Sequence, residues 1–424
     1  MTSKKKILLL STGDVNGAYE AIFRIASFLK EDGHEVALAV KTKTQHESFV
    51  YRVPFEQGLI RSTVHRIREK FRRKIKIDPQ YIFLDEDESR NYVNVKDILA
   101  AIPFVPEMVI AGMTDGFVVT HHLAAIHRLT GARIYTVTVD MSVLTGGCHF
   151  AWSCEGYKTD CGNCPAIPDE NHKNYPRKNL LIKQRNVREG KINIIAGSGW
   201  TLNQARESAL FSRQEKIESI PGCIDTEIFN SRNRKTAKAV FNIPENIKLI
   251  FCGAQNFNDP RKGFSYFIEA LQLLYNSCDT DLRENVRVLV VERGEREKET
   301  DHIPFQIQKI DYIRDYRLLS LAYQASDIYV CSSIEDSGPL MVSEALACGT
   351  PVVGFEMGAV SDMVVTDYNG YKAILKNSGD LAEGMRKMLN LSAADQEKYS
   401  ANAVEQVAKY ASKEVVTDIL GKLF

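Results

Sequence analysis

Asp327-Ile-Tyr-Val-Cys-Ser-Ser-Ile-Glu-Asp-Ser-Gly-Pro-Leu-Met-Val-Ser-Glu344-Ala-Leu-Ala-Cys-Gly349-Thr-Pro-Val-Val-Gly-Phe355 is the stretch around which the rest of the chain can be read. Ile328 to Cys331 is a short apolar run rich in β-formers and reads as a buried strand. Pro339 suits a first helical position, where its missing N–H is no loss. Gly349 and then Pro351 stop the helix, and Pro351 to Phe355 reads as a second buried strand. Strand, loop, helix, strand is the unit of a parallel sheet. Ligands of such sheets bind beyond the carboxyl ends of the strands, which here means the loop 332–338. The helix start beyond it offers unpaired N–H groups and a positive dipole end, both suited to phosphate oxygens.

Glu344 is the only charged side chain between Ser337 and Phe355, in an otherwise core-like helix. Two readings stand: an outward-facing, solvated Glu, or a carboxylate whose partners are the two hydroxyls of a ribose. Asp336, eight positions earlier at the mouth of the same loop, favours the second reading. There a second carboxylate can accept hydrogen bonds from a sugar.

An acid, seven residues, Glu and then Ala-Leu-Ala-Cys-Gly-Thr-Pro-Val-Val resembles the donor-site signature of the retaining glycosyltransferases of family 4 (group 1). The resemblance implies an α/β chain of the GT-B fold, two Rossmann-like doubly wound domains facing across a cleft. It also implies that Asp336 contacts the donor sugar and Glu344 the ribose of the nucleotide. The sequence departs from the pattern twice. The first acid is Asp336 rather than Glu, with Glu335 beside it, and Pro339 stands where Gly is commoner. With one backbone donor lost there, the donor phosphates fall to other groups along Ser337, Gly338, Leu340 and Met341, the last two through their N–H groups.

A chain of 424 residues can form two domains of ordinary size. Its 54 basic and 54 acidic residues cancel, so nothing argues for nucleic acid. The opening Met1-Thr-Ser-Lys-Lys-Lys-Ile-Leu-Leu-Leu-Ser has an apolar run too short for a signal peptide, and no later segment reaches membrane-span length. A cytoplasmic protein is expected, with its nine cysteines as thiols or metal ligands rather than disulfides.

Lys6 to Leu10 reads as a first strand, followed by Ser-Thr-Gly13-Asp-Val-Asn-Gly17 and an amphipathic helix. This is a Rossmann-like opening without a dinucleotide fingerprint. Its glycines make either a plain tight turn or a close approach of backbone to ligand. Under the resemblance, Gly17 lies near the donor phosphates. Residues 59–77 form a basic amphipathic segment, either a solvated helix on its own domain or one resting on an anionic membrane surface. Relatives that act on lipid-linked acceptors at the inner leaflet favour the membrane. Asp85-Glu-Asp87 spells a metal-binding D-x-D, but it sits in an acidic run, Asp85-Glu-Asp-Glu-Ser, that reads as a solvated loop.

Four of the nine cysteines, Cys148, Cys154, Cys161 and Cys164, fall within seventeen residues and end in C-x-x-C. Four thiolates, or three with His149, fit a structural zinc site, which would order a long Gly-rich loop. An unmetallated thiol cluster or disulfides are the alternatives. The stretch Thr145-Gly-Gly-Cys-His149 with its spaced cysteines is similar to the colanic-acid and exopolysaccharide branch of family 4. Relatives there carry a His just before the Asp-Met pair, where this chain has Val139. Asp140 becomes the candidate polar group for the acceptor hydroxyl.

Ile217-Glu-Ser-Ile-Pro-Gly-Cys-Ile-Asp225-Thr-Glu-Ile-Phe229 resembles the family's interdomain segment. The expected domains are therefore 1–222, for the acceptor and joined by a C-terminal helix at about 405–424, and 223–404, for the nucleotide-sugar donor. Arg261-Lys262-Gly263 before a helix makes a place for a diphosphate, with a point charge from Lys262 and bidentate donors from Arg261. Under the resemblance, the turn at Tyr312 and Ile313 flanks the base. Asp367-Tyr-Asn369-Gly370 reads as a hairpin turn. The expected activity is retaining transfer of a hexose-type sugar from a nucleotide sugar to a glycan or lipid-linked acceptor in cell-surface polysaccharide biosynthesis, with no cofactor for catalysis. A nucleotide-sugar epimerase or phosphorylase, and an inactive partner that binds nucleotide sugar, are the alternatives.

Overall fold

The computed structural model describes residues 4–54, 75–83, 87–253, 256, 258–292, 300–311 and 313–424. The chain divides into two compact units. One comprises Met1–Gly197, Thr201–Ser219 and Ile419–Phe424; the other comprises Ser198–Trp200 and Ile220–Asp418.

The first unit is built on a parallel sheet of seven strands: β1 (Lys6–Gly13), β2 (Glu35–Thr42), β3 (Val50–Arg52), β4 (Met108–Ala111), β5 (Arg133–Val137), β6 (Ile192–Ala196) and β7 (Glu218–Ser219). Their order is β3-β2-β1-β4-β5-β6-β7. The apolar run Ile7 to Leu10 is fully buried because helices cover both faces of such a sheet. Leu9 lies in register with Leu38 of β2 on one side and Ile110 of β4 on the other. The second unit carries a parallel sheet of six strands: β8 (Lys248–Gly253), β9 (Val286–Glu292), β10 (Gln306–Asp311), β11 (Ile328–Cys331), β12 (Val352–Phe355) and β13 (Gly370–Ala373). Their order is β10-β9-β8-β11-β12-β13.

Each order reverses once. In the first sheet the chain runs from β1 outward to β2 and β3, then crosses to β4 on the other side. In the second the same reversal falls between β8 and β11. Diverging loops leave a crevice at the carboxyl ends of the strands at these switch points, and ligands of open parallel sheets settle there.

Several local expectations are corrected. The helix after β11 spans Leu340–Ala347, with Pro339 as its N-cap residue rather than its first turn. Asp367 to Gly370 does not close a hairpin, because β13 runs parallel to β12. The buried Asn369 closes that turn instead, accepting from Val365 N at 2.7 Å and donating to Met363 O at 2.9 Å. Of the C-terminal stretch expected to join the first domain, only Ile419–Phe424 does so. The helix Ala393–Tyr410 stays with the second unit because Ala403 and Val407 are buried in its core beside the helix Leu340–Ala347. Residues 59–74 of the basic segment, and Asp85 and Glu86 of the D-x-D, lie outside the described residues. Among the described residues, no helix is long and apolar enough to cross a membrane.

Glu88, read above as part of a solvated run, is buried in the first unit. Its carboxylate lies 3.5 Å from the buried Lys183 ammonium and accepts from Thr120 Oγ1 at 2.6 Å and Thr120 N at 3.2 Å. Lys183 in turn donates to Ser142 O at 2.7 Å. The pair ties the start of the helix Thr120–Thr130 to the helix Tyr175–Glu189. Removing one partner of a buried pair strands the other charge. Glu88→Ala should therefore lower stability by about 3–5 kcal/mol. Urea unfolding should show this as a lower midpoint at unchanged slope.

Candidate functional site

At the switch point of the second sheet, the turn after β8 and the loop after β11 are fastened together. Asp259 caps the turn Pro260–Lys262, accepting from Arg261 N at 3.1 Å, and its carboxylate also holds the Arg261 guanidinium. Ile334 N donates to Arg261 O at 2.7 Å, and Ser332 Oγ donates to Lys262 O at 2.8 Å. Gly263 has φ +60°, and a Cβ there would lie 2.0 Å from Ser332 O, so only glycine lets the two loops approach this closely. Across that contact Lys262 Nζ reaches Asp336 Oδ2 at 2.6 Å. Burial alone would raise the Asp336 carboxyl. Lys262, Arg261 and the Gly338 N–H outweigh it and hold the group below its ordinary value.

Asp336, rather than its neighbour Glu335, is thus the acid that faces the cation. Glu335 is buried with no equally close positive charge among the described residues. Burial first, and the Asp336 charge second, push its carboxyl up to about 7, against weaker opposition from Arg261 and Lys376. The Ser337 hydroxyl is buried with no hydrogen-bond partner among the described residues. Gly338, Leu340 and Met341 remain partly exposed where the helix begins.

Glu344 is not the solvated side chain of the alternative reading: it is 4% exposed. The buried Tyr323 hydroxyl donates to its Oε2 at 3.0 Å. Burial and the Glu344 carboxylate push the Tyr323 phenol well above its usual range, which keeps it a donor. Ile313 is packed into the core of the second unit, and Tyr312 lies outside the described residues.

The switch point of the first sheet carries a different set. Thr12, near the carboxyl end of β1, donates from its N–H to Met113 O at 2.8 Å and from Oγ1 to Asp115 O at 2.9 Å. Asn16 caps the helix Gly17–Glu31, accepting from Tyr19 N at 3.0 Å, and Gly17 has open space where a Cβ would stand. Asp140 is buried, with Oδ1 accepting from Ser142 N at 2.7 Å and Oδ2 2.7 Å from His149 Nδ1. Burial opposes its charge, but His149 and Ser142 together hold its carboxyl below the ordinary value. His149 Nε2 lies 3.8 Å from Asp115 Oδ1.

Residues 233–406 match the family model described as glycosyl transferases group 1. The second unit holds a group 1 glycosyltransferase domain. The chain is 26% identical over 175 residues to a phosphatidyl-myo-inositol mannosyltransferase of Mycobacterium leprae, a match covering 41% of this chain and 45% of that protein. The chain spans about half or less of the length of the curated relatives it matches. Among solved structures, a sucrose-phosphate synthase from Thermosynechococcus elongatus superposes with TM-score 0.67 at 14% identity, covering 99% of this chain and 98% of that one. Anabaena Alr3699/HepE, solved in complex with UDP-glucose, superposes with TM-score 0.64 at 14% identity and 99% coverage of both chains. The fold is GT-B, with two Rossmann-like units.

The glycosyltransferase domain therefore contains Arg261, Lys262, Asp336, Ser337, Gly338, Leu340, Met341 and Glu344, and gathers the first three at one switch point. Gly17 and Asp140 belong to the other unit. The four cysteines of the 140–165 loop are free; Cys148, Cys161 and Cys164 are buried in one apolar cluster, and Cys154 packs against it. Among the described residues, no three His, Cys, Asp or Glu side chains form a group that could hold a metal ion. Burial pushes Cys148 up to about 12 and Cys161 to about 11, as suits thiols in an apolar core. His149, the alternative fourth ligand, is bonded to Asp140 instead. The loop is ordered by close packing: a Cβ on Gly146 would lie 2.2 Å from Pro176 O, and one on Gly147 2.3 Å from the Phe83 ring.

Two residues escaped the sequence reading. Tyr323 sits in an ordinary apolar helix pattern, with no local sign that its hydroxyl meets Glu344. Asp115 stands just beyond β4 at a switch point, a signal that appears only once strand order is known.

Glu335 gives a pH dependence with a defined sign. Its folded pKa of about 7 exceeds its ordinary 4.5, so its contribution to stability is fullest below 4.5 and is lost as pH rises through 7. Glu335→Gln should match wild type in urea midpoint near pH 4.5 and exceed it at pH 8 by about 1–3 kcal/mol.

Proposed function

We propose that the chain is a retaining glycosyltransferase that moves a hexose-type sugar from a nucleotide sugar to a glycan or lipid-linked acceptor, in cell-surface polysaccharide biosynthesis. The observation that carries this reading is the Lys262–Asp336 pair at the β8/β11 switch point, with the buried Glu344 on the helix that follows. A donor diphosphate takes Lys262 as its counter-charge, with Arg261 beside it, and exposed N–H groups at Leu340 and Met341 complete its shell. Asp336, released from Lys262, accepts from the sugar hydroxyls. Glu344, held by Tyr323, contacts the ribose. The UDP-glucose bound in Anabaena Alr3699/HepE makes uridine diphosphate sugars the first donors to try.

Catalysis on this reading comes from positioning and charge stabilisation. The leaving phosphate, neutralised by Lys262 and Arg261, takes the acceptor proton on the face it has just left, which keeps the anomeric configuration. The test is nucleoside diphosphate release from a panel of nucleotide sugars, with the product anomer read by NMR. Lys262→Ala should slow turnover by about 100- to 1,000-fold, the usual effect of removing one charge-stabilising donor. Near-normal turnover would refute the role of Lys262, and sugar isomerisation without acceptor would point to an epimerase.

A further inference from the structure

Glu344 is the acid assigned to the ribose in the reading above, and a residue behind it sets how that acid is held. Tyr323, in the helix Tyr316–Ala325, is fastened at two points to the helix Leu340–Ala347 and the turn that follows it. Its hydroxyl donates to Glu344 Oε2 at 3.0 Å, and its backbone carbonyl accepts from Thr350 Oγ1 at 2.6 Å. Thr350 is anchored in turn, accepting from Arg234 Nη1 at 2.9 Å. Tyr323 and Thr350 are both fully buried. The Tyr323 ring sits among the Phe251, Tyr329 and Phe229 rings, at centroid distances of 5.0, 5.6 and 6.3 Å. Such tilted aromatic packing leaves the phenol little freedom to move. Burial first, and the Glu344 charge second, push the phenol well above its usual range, so it stays a donor. A buried acid costs stability that a neutral phenol offsets only in part, and apolar residues of similar volume would pack such a place at less cost. The pair makes physical sense where the position of the carboxylate matters.

We infer that Tyr323 is the positioning residue that makes the donor site select ribose over 2′-deoxyribose, by holding the Glu344 carboxylate in one orientation for the ribose hydroxyls. The inference rests on the transferase reading above and deepens it, assigning the nucleotide's sugar specificity to a residue behind the acid. A carboxylate oriented before the ligand arrives loses less freedom on binding. Holding it also makes a missing hydroxyl costly, because a fixed group cannot turn to another partner. Released from the phenol, a glutamate carboxylate rotates over a broad range and pairs with water, so affinity and discrimination fall together.

Calorimetric titration of the full chain with UDP, ADP and GDP, each beside its 2′-deoxy counterpart, tests this without turnover. Wild type should bind the ribonucleotide of its preferred base about 10- to 100-fold more tightly than the deoxy form, the worth of a hydrogen bond to a charged group. Tyr323→Phe keeps the ring and removes the hydroxyl. It should cut that ratio by about 3- to 10-fold, through weaker ribonucleotide binding. With the nucleotide sugar that wild type cleaves, KM should rise while kcat stays within about twofold, as for a contact equal in ground and transition states. In a Glu344→Gln background, Tyr323→Phe should change the ratio by less than about twofold, because its effect passes through the carboxylate. A wild type that binds both forms alike would overturn the inference. So would equal weakening of both forms in Tyr323→Phe, the mark of a merely structural role, or a Tyr323→Phe effect on the ratio that persists in full beside Glu344→Gln. A folded wild type that binds none of these diphosphates would instead overturn the transferase reading, and this inference with it.

Discussion

The ion pair between Lys262 and Asp336 is the contact on which the chemistry proposed for the second unit turns. It joins the loops of two strands that are neighbours in the sheet and about eighty residues apart in the chain. The pair lies in a partly buried crevice, where each charge has lost part of its hydration and depends on the other. Such a pair holds two groups of opposite sign at one place, each ready for a different part of one ligand. On the proposed reading, a diphosphate competes for the cation, and a sugar's hydroxyls then compensate the acid. Gly263 makes this contact possible, because any Cβ there would force the Lys262 turn off the Ser332 carbonyl.

Glu344 obeys the same logic one layer deeper. A carboxylate buried in an apolar helix must be hydrogen-bonded, and Tyr323 meets that need from the neighbouring helix. The phenol fixes one carboxylate oxygen. Tyr323 is itself enclosed by the Phe229, Phe251 and Tyr329 rings, so the orientation of Glu344 is set by core packing. The site's precision therefore comes from the rigid part of the domain, and its charge from loops at the strand ends.

Much of this was legible in the sequence, and what was not has physical causes. Strands such as Ile328–Cys331 and Val352–Phe355 are continuous apolar runs because a parallel sheet is covered on both faces, so they announce themselves. The short edge strands β3 and β7 have two or three residues and no periodicity to read. β13 was hidden by a turn signal at Asn369-Gly370 that serves a parallel crossover as well as a hairpin. Asp336 and Lys262 were recognisable by type and spacing, but their pairing was not, since strand order brings them together. Glu88 was misread because its partner Lys183 lies ninety-five positions away. Of the C-terminal stretch about 405–424, Ile419–Phe424 falls in the first unit, while Val407 packs in the core of the second.

The cysteine-rich loop packs as one unit, with its four thiols in a single apolar cluster. Its spacing fits a structural zinc site, with an unmetallated thiol cluster or disulfides as alternatives, and the loop has little apolar surface of its own. The surface comes from elsewhere: the Phe83 ring, the Pro176 carbonyl at the start of a helix, and buried thiols acting as small apolar groups. Gly146 and Gly147 admit those neighbours, and Cys148 seats the chain next to His149. What the loop delivers is an imidazole beside Asp140, in a chain whose residue before that acid is Val139 rather than His. Glycines, thiols and histidine then form one packed loop that folds His149 back onto Asp140, just beyond the carboxyl end of β5.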